Sequence, residues 1–331
     1  MNNSVEEATK FYLTLPSALR LPSYHPLYIV ADACRDKSIE PHFFTFERNG
    51  DRYYHGLHVA PVLGTRYLDI QSPYGYGGPI SSTRNKEFLA VAWQQYCDWC
   101  RERDIIAEFI RFHPVLKNET IYGGSTCYNR ETVWIDLQQS DLLQSYSARM
   151  RTTIRKAIKS GLVVEWLGKR EFLEVFLDLY RDLMCALQAD SFYLFPEQYF
   201  TALLDVPGIR LAVCKCRGEV IAGAVFLVDQ QGMEYHLSAA NLLGKTMSAT
   251  SLIFHVAALL GKELGCRVLH LGGGTDGTVD NPLLYFKTKF SKNKGVFKIG
   301  YHIHKQEIYN QLKHQWSIEH GESNKILFYR C

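Results

Sequence analysis

Five cations, Arg149, Arg151, Arg155, Lys156 and Lys159, fall within eleven residues. On a helix, Arg151 and Arg155 lie four apart on one face, where two guanidinium groups would clamp the phosphate oxygens of a nucleotide-linked or lipid-linked precursor. The competing account is a solvated charged face. A second constellation is Ser72-Pro-Tyr74-Gly-Tyr76-Gly-Gly78-Pro79. Here glycine permits close backbone approach, proline stiffens the flanks, and Tyr74 and Tyr76 offer an apolar ring face and a hydroxyl to a sugar. An ordinary tight loop with tyrosines packed on the core is the alternative. Arg111 closes a strand and is either a ligand for an anion or an exposed cation. Gly272, Gly274 and Gly277 spell G-x-G-x-x-G after a strand, but Pro282 follows quickly and no acidic residue stands about twenty positions on, so a dinucleotide site is not expected. Cys97 and Cys100 form a C-x-x-C within an amphipathic helical stretch. With no second cysteine or histidine pair beside them in sequence, no metal is expected. His236 and His270 alternate into strands and are expected to be satisfied core residues. No G-x-S-x-G, H-E-x-x-H or G-x-x-x-x-G-K-[ST] pattern occurs, so nothing supports a serine hydrolase, a zinc protease or a P-loop enzyme.

The elements that must position these residues are clearest in the second half. Phe172, Val175, Phe176, Leu179, Leu183 and Leu187 recur at helical spacing from Lys169 to Ala189. Ile209 to Cys216, Glu219 to Val228 and Gly232 to Ala239 predict an antiparallel meander, broken at Arg217-Gly218 and at Asp229-Gln230-Gln231. Residues 241–250 are expected to form a loop, Ser251 to Leu264 a helix stopped by Gly265, and Arg267 to Leu271 a buried strand. A short helical segment from Pro282 to Phe290 and a last strand from Val296 to Ile303 follow. In the first half, strands Glu40 to Arg48 and Arg52 to Leu63 flank Asn49-Gly50, a two-residue hairpin signal. Tyr67 to Ser72 is a third strand, Lys86 to Arg103 a helix and Asp104 to Phe112 a fourth strand. Three strands, a loop, a helix and a strand thus occur twice. This predicts an α+β chain, an α/β sandwich of two tandem domains, each a mixed, mostly antiparallel sheet flanked by helices. The expected boundaries are 1–140, 141–307 and a tail of 308–331.

The chain has 331 residues, 47% hydrophobic and 21% charged, with a formal charge of +3. That composition predicts a globular protein and gives no electrostatic case for DNA. No window reaches the ~18 apolar residues of a membrane span, and the start lacks a signal peptide's basic and apolar regions, so a cytoplasmic location is expected.

The meander followed by a segment entering a helix resembles the GNAT acyltransferase fold. That resemblance implies a fourth strand splayed from the fifth, with the gap admitting the thioester arm of acyl-coenzyme A and the next helix start holding its pyrophosphate. It assigns cofactor contacts to Ala239, Ala240, Asn241, Gly244, Lys245, Thr246, Ser248 and Thr250, although Asn241-Leu-Leu-Gly244-Lys245-Thr246 only partly matches the family's Gln/Arg-x-x-Gly-x-Gly/Ala. The loop 72–79, Arg111-Phe-His113-Pro114, the Arg149–Lys156 stretch, Leu269-His-Leu-Gly272-Gly-Gly274 and Leu284-Tyr285-Phe286-Lys287 resemble, in order, segments of the Fem peptidoglycan-bridge aminoacyltransferases and their GNAT-like relatives. By that likeness Tyr285 would protonate a leaving group, with a core tyrosine as the alternative. Asp276 would orient an amine, and Gly273 and Gly274 would let the chain pass close to the acyl group. Lys287 would face phosphate or developing negative charge, unless it is a snorkelling surface lysine. Acetyl-CoA or another acyl-CoA is the implied co-substrate and an amino sugar, on a small-molecule or lipid-linked precursor, the implied acceptor. Aminoacyl-tRNA as donor is one alternative, and an inactive binding module is the other.

Overall fold

The computed structural model describes residues 4–229, 232–278 and 280–330, so the expected Gln230-Gln231 turn lies outside the described residues. In chain order the first elements are α1 (Val5–Leu13), α2 (Pro26–Ala33), β1 (Glu40–Arg48), β2 (Asp51–Pro61), β3 (Leu68–Gln71), β4 (Ile80–Ser81), α3 (Lys86–Glu102) and β5 (Ile105–Arg111). Next come β6 (Ser125–Asp136), α4 (Leu142–Ser145), α5 (Ala148–Lys159), β7 (Leu162–Trp166), α6 (Lys169–Ala186) and α7 (Glu197–Leu203). The chain closes with β8 (Ile209–Cys216), β9 (Glu219–Val228), β10 (Gly232–Ala240), α8 (Leu242–Thr246), α9 (Ala249–Glu263), β11 (Val268–Gly273), α10 (Pro282–Thr288), β12 (Lys294–Ile303) and α11 (Gln306–His320). Two compact units result, one of Met1–Asn129 with Phe297–Cys331 and one of Arg130–Val296.

In the first unit, β1 and β2 pair antiparallel out to Arg48↔Asp51, and Asn49 and Gly50 both take positive φ. That is the geometry a two-residue hairpin of matching twist requires. β3 joins β2 antiparallel and β5 joins β3 in parallel, with α3 as the crossover. Residues 299–303 of β12 then pair antiparallel with β5. Phe88, Ala92, Tyr96, Trp99 and Cys100 form the buried stripe of α3, lying on Phe44, Tyr53, Leu57 and Ile110. α11 and the chain beyond it bring Tyr309, Leu327 and Phe328 onto Val62 and Ile106, and Arg330 pairs with buried Asp69 at 2.6 Å.

In the second unit, β7, β8, β9 and β10 pair antiparallel in that order, β11 follows β10 in parallel, and β6 pairs antiparallel with β11. α9 packs Leu252, Ile253, Phe254 and Ala257 against Ala222, Ala224, Phe226 and Met233. Its C-terminal stop is Gly265 at φ +79°, a left-handed turn that favours glycine. Both units carry the expected mixed, mostly antiparallel sheet flanked by helices. Beyond β6 and β7, which lie where no element was expected, one assigned segment takes another form: part of 241–250 is the short helix α8. Asn241 makes the difference, because its Oδ1 accepts the Gly244 N–H at 2.8 Å and caps a turn that glycine and lysine spacing does not advertise.

Candidate functional site

The parallel pairing of β10 with β11 covers only Gly232↔Val268, Met233↔Leu269 and Glu234↔His270. From Tyr235 to Ala240, β10 pairs among the described residues with β9 alone, through an irregularity between Tyr235 and Leu237. β11 meanwhile runs on to Gly273 along β6, with its own irregularity between His270 and Gly272. The two strands therefore part after Glu234 and His270. Where they part, Lys287 of α10 reaches both: Nζ donates to the Gly273 carbonyl at 2.7 Å and stands 5.3 Å from the centre of the Tyr235 ring. The Tyr235 hydroxyl shares a hydrogen bond of 2.9 Å with Ser238 further along β10.

Lys287 is 4% exposed. A carbonyl and a ring face both favour an ammonium there, but desolvation outweighs them and lowers its pKa to about 7. The snorkelling alternative is thus excluded. α10 is aimed by buried Asn281, whose Oδ1 accepts from the N–H groups of Leu283 and Leu284, each at 3.1 Å, while its Nδ2 donates to Thr275 at 2.7 Å. The glycine run is needed for close approach. A Cβ on Gly274 would fall 2.4 Å from Asn281 Oδ1, and one on Gly273 would fall 2.8 Å from the Glu131 carbonyl. Arg130 Nη1 donates to the Gly274 carbonyl at 2.9 Å.

Gly273, Gly274 and Lys287 are therefore brought together. Tyr285 is not with them. It precedes Lys287 by two positions on α10, so the two side chains leave the helix on different faces, and Tyr285 is 57% exposed. The core-tyrosine alternative fails as well. Lys289 Nζ lies 3.6 Å from its ring centre, and hydrogen bonding to Lys289, with the charge of Arg149 adding, lowers its pKa. Asp276 is exposed and turned back on its own loop, where Oδ1 accepts from the Thr278 N–H at 2.8 Å and the Thr278 hydroxyl at 2.5 Å; these bonds, the hydroxyl's first, hold its pKa down at about 2.

Ala239 and Ala240 are buried at the end of β10, paired with Gly223 and Ala222. A Cβ on Gly244 would fall 2.2 Å from the Ile221 carbonyl, so α8 lies hard against β9. Lys245 and Thr246 are exposed on α8. Ser248 takes φ +62° and opens α9, where its carbonyl accepts the N–H groups of Ser251 (3.0 Å) and Leu252 (3.3 Å); Thr250 lies in that first turn. On α5, Arg155 is exposed, whereas Arg151 turns its Nη1 to the carbonyls of Tyr146 (2.7 Å) and Gln144 (3.4 Å).

In the first unit, a buried network holds the loop 72–79. Asp32 accepts two bonds from Arg35 (2.8 and 2.9 Å) and the Tyr74 N–H at 2.7 Å. Burial pushes the Asp32 carboxyl up, and the charges of Arg35 and His58 more than offset it, leaving its pKa lowered. Tyr28 donates to the Tyr74 carbonyl, Tyr76 packs edge-on to His113 (5.0 Å) and Phe297 (5.5 Å), and Arg111 stacks on Phe109 and donates its N–H to Ser72. Tyr74, Tyr76 and Arg111 thus share one loop and its adjoining strand. Asp32, Asn281, Tyr235 and Arg130 were not legible as site-forming residues; only the N-cap preference of Asn before Pro282 offered a signal for one of them.

Residues 144–287 match the family model described as an acetyltransferase (GNAT) domain. No curated protein matches the chain. Among solved structures, FemX is similar at 16% identity over 94% of this chain and 99% of its own, with a TM-score of 0.71. The C-terminal domain of a putative lysylphosphatidylglycerol synthetase from Agrobacterium fabrum is similar at 15% identity over 96% and 99%, TM-score 0.62. A tandem GNAT protein from the clavulanic acid biosynthesis pathway is similar at 12% over 90% and 96%, TM-score 0.50. The strand splay lies within the segment that the acetyltransferase model matches. The chain as a whole has a tandem GNAT fold similar to that of FemX. No helix among the described residues is long and apolar enough to cross a membrane.

Proposed function

We propose that the protein transfers an acyl group from acyl-coenzyme A to the amino group of a sugar in a cell-surface polysaccharide or envelope precursor, and that the β10–β11 splay receives the donor. The observation that carries this reading is a buried lysine with a near-neutral pKa at the point where two strands part beside a helix start. A thioester arm entering that gap would place its carbonyl near the backbone edge of β10 beyond Glu234, where amide donors support an oxyanion. The neutral amine forms the C–N bond, the C–S bond breaks, and the proton shed by nitrogen passes to neutral Lys287 and then to the departing thiolate. A group of pKa about 7 suits both halves of that transfer. No covalent intermediate is needed, since holding the reactants together supplies much of the rate. Arg149 and Arg155, both exposed, with half-buried Lys289 beside Tyr285, give this unit a cationic surface suited to phosphates of the donor or acceptor. We assign the first unit's Tyr74, Tyr76 and Arg111 to the acceptor, and Asp276, fully ionised, to orienting its amine.

Aminoacyl-tRNA is the rival donor, favoured by the Fem-like fold and the five cations of α5. Thermal shift separates the two. Acetyl-CoA should raise the melting temperature in proportion to the logarithm of its concentration. A rise with charged tRNA and none with acetyl-CoA would replace the donor assignment, and no rise with either would leave an inactive binding module.

A further inference from the structure

We propose that Cys97, His302 and His304 form a transition-metal site, suited best to zinc, that ties α3 to the end of β12 within the first unit. The ligand atoms of these three residues all lie within 4.8 Å of one another. A tetrahedral zinc with bonds of about 2.0–2.3 Å holds its ligand atoms roughly 3.4–3.8 Å apart, so closure asks for side-chain adjustment and no change of fold. One thiolate and two imidazoles make a donor set that selects zinc or copper over calcium or magnesium.

The imidazole of His304 is the second, independent sign. Its side chain is 1% exposed, and among the described residues neither ring nitrogen has a hydrogen-bond partner. Leaving two polar atoms buried and unsatisfied is costly unless something occupies them. Glu108 explains half of the arrangement. Its Oε2 stands 3.7 Å from His304 Nε2, too long for a hydrogen bond yet on the right side to accept one after a small shift, while Tyr96 and Tyr122 donate to the same carboxylate at 2.5 and 2.6 Å. A fully buried carboxylate fixed by two phenols and facing one nitrogen of a ligating histidine is the usual outer partner of a metal-bound imidazole. It would leave His304 Nδ1 for the ion. His302 is half-buried, with its ring 4.7 Å from that of His304, and opens the site toward water, which supplies a fourth ligand.

The spacing explains why sequence alone hides the site. His302 and His304 are two apart at the end of a strand, so both reach the same face, and α3 lays Cys97 over that face from two hundred positions upstream. Metal here would staple the returning C-terminal segment to the first unit, a role separate from the acyl-transfer site of the second unit.

The full chain, produced without a polyhistidine tag and stripped with chelator, is titrated with cobalt(II). We expect a single tight equivalent with a thiolate-to-cobalt charge-transfer band, displaced by one equivalent of zinc, and a higher melting temperature with zinc. Cys97→Ser should remove the charge-transfer band. His302→Ala, at a half-buried position that tolerates truncation, should weaken binding roughly tenfold or more, and this variant decides the matter if Cys97→Ser does not fold. Cys127→Ser with Cys185→Ser, both exposed, should leave the band in place. Absence of a charge-transfer band in the native chain, a band lost with Cys127 and Cys185, or binding indifferent to His302 would each overturn the proposal.

Discussion

In the proposed mechanism, Lys287 couples function to instability. Unfolded, its ammonium keeps a proton up to a pH of about 10.4; folded, it gives the proton up near pH 7. Between those values the unfolded state binds more protons, so this group's contribution makes the protein more stable as pH rises from about 7 to about 10, and its full penalty is felt below 7. The penalty is at most about 5 kcal/mol. Lys287→Met should therefore raise stability at pH 6 by about 1–3 kcal/mol in urea denaturation, with the gain vanishing toward pH 10. The same variant should lose acyl transfer. Lys287→Arg, permanently charged, should lose the activity limb near pH 7 along with most of the rate. A pH–rate profile that keeps that limb in Lys287→Arg would remove the proton-transfer role. Gly244 tests a different constraint. With the Ile221 carbonyl 2.2 Å from any Cβ, Gly244→Ala must push α8 off β9, and it should destabilise the chain by about 1–3 kcal/mol, read as a lower urea midpoint.

At the scale of elements, the β10–β11 divergence makes a measurable distinction within one strand. Amides of residues 232–234 lie in a paired stretch, whereas from Tyr235 onward β10 has, among the described residues, no partner strand on its β11 side. Hydrogen exchange should be faster for 236–240 than for 233–234, and a bound donor should slow 236–240 selectively. Uniform protection along β10 without ligand would mean the strands are closed over their length. Elements with a strong local pattern were readable in advance. The Asn49-Gly50 hairpin, the β8–β9–β10 meander and the stripes of α3 and α6 each repeat a physical period that a short window captures. The unread ones depend on partners far away. β6 carries exposed and half-buried residues over much of its length, and its place is fixed by pairing with β11. α8 hangs on one Asn241 side chain. The same division holds for the site. Lys287, Gly273 and Gly274 stood in recognisable motifs, but only the fold revealed that Lys287 is buried and that Tyr285 leaves the helix on another face. Tyr235, an ordinary strand aromatic in sequence, had nothing to mark it until the strand beside it turned away.

The whole chain returns at its end to where it began. Phe297–Cys331 belongs to the same compact unit as the first 129 residues: the β12 segment adds a strand beside β5, and Tyr309, Leu327 and Phe328 cover Val62 and Ile106. Arg330 adds an ion pair to Asp69, a carboxylate whose pKa desolvation raises to about 6 even with that partner. Deleting residues 305–331 would expose the apolar patch under α11 and leave Asp69 buried beside no cation. Breaking a buried pair by removing one partner typically costs about 3–5 kcal/mol, before any loss of apolar burial. The unit Arg130–Val296 loses none of its own sheet partners in the same deletion. A chain ending at residue 304 should therefore unfold in two steps under denaturant: the first unit at a much lower midpoint, followed by tryptophan fluorescence from Trp93 and Trp99, and the second near its original midpoint, retaining donor-dependent stabilisation. Loss of both transitions together would mean that the second unit needs the first in order to fold.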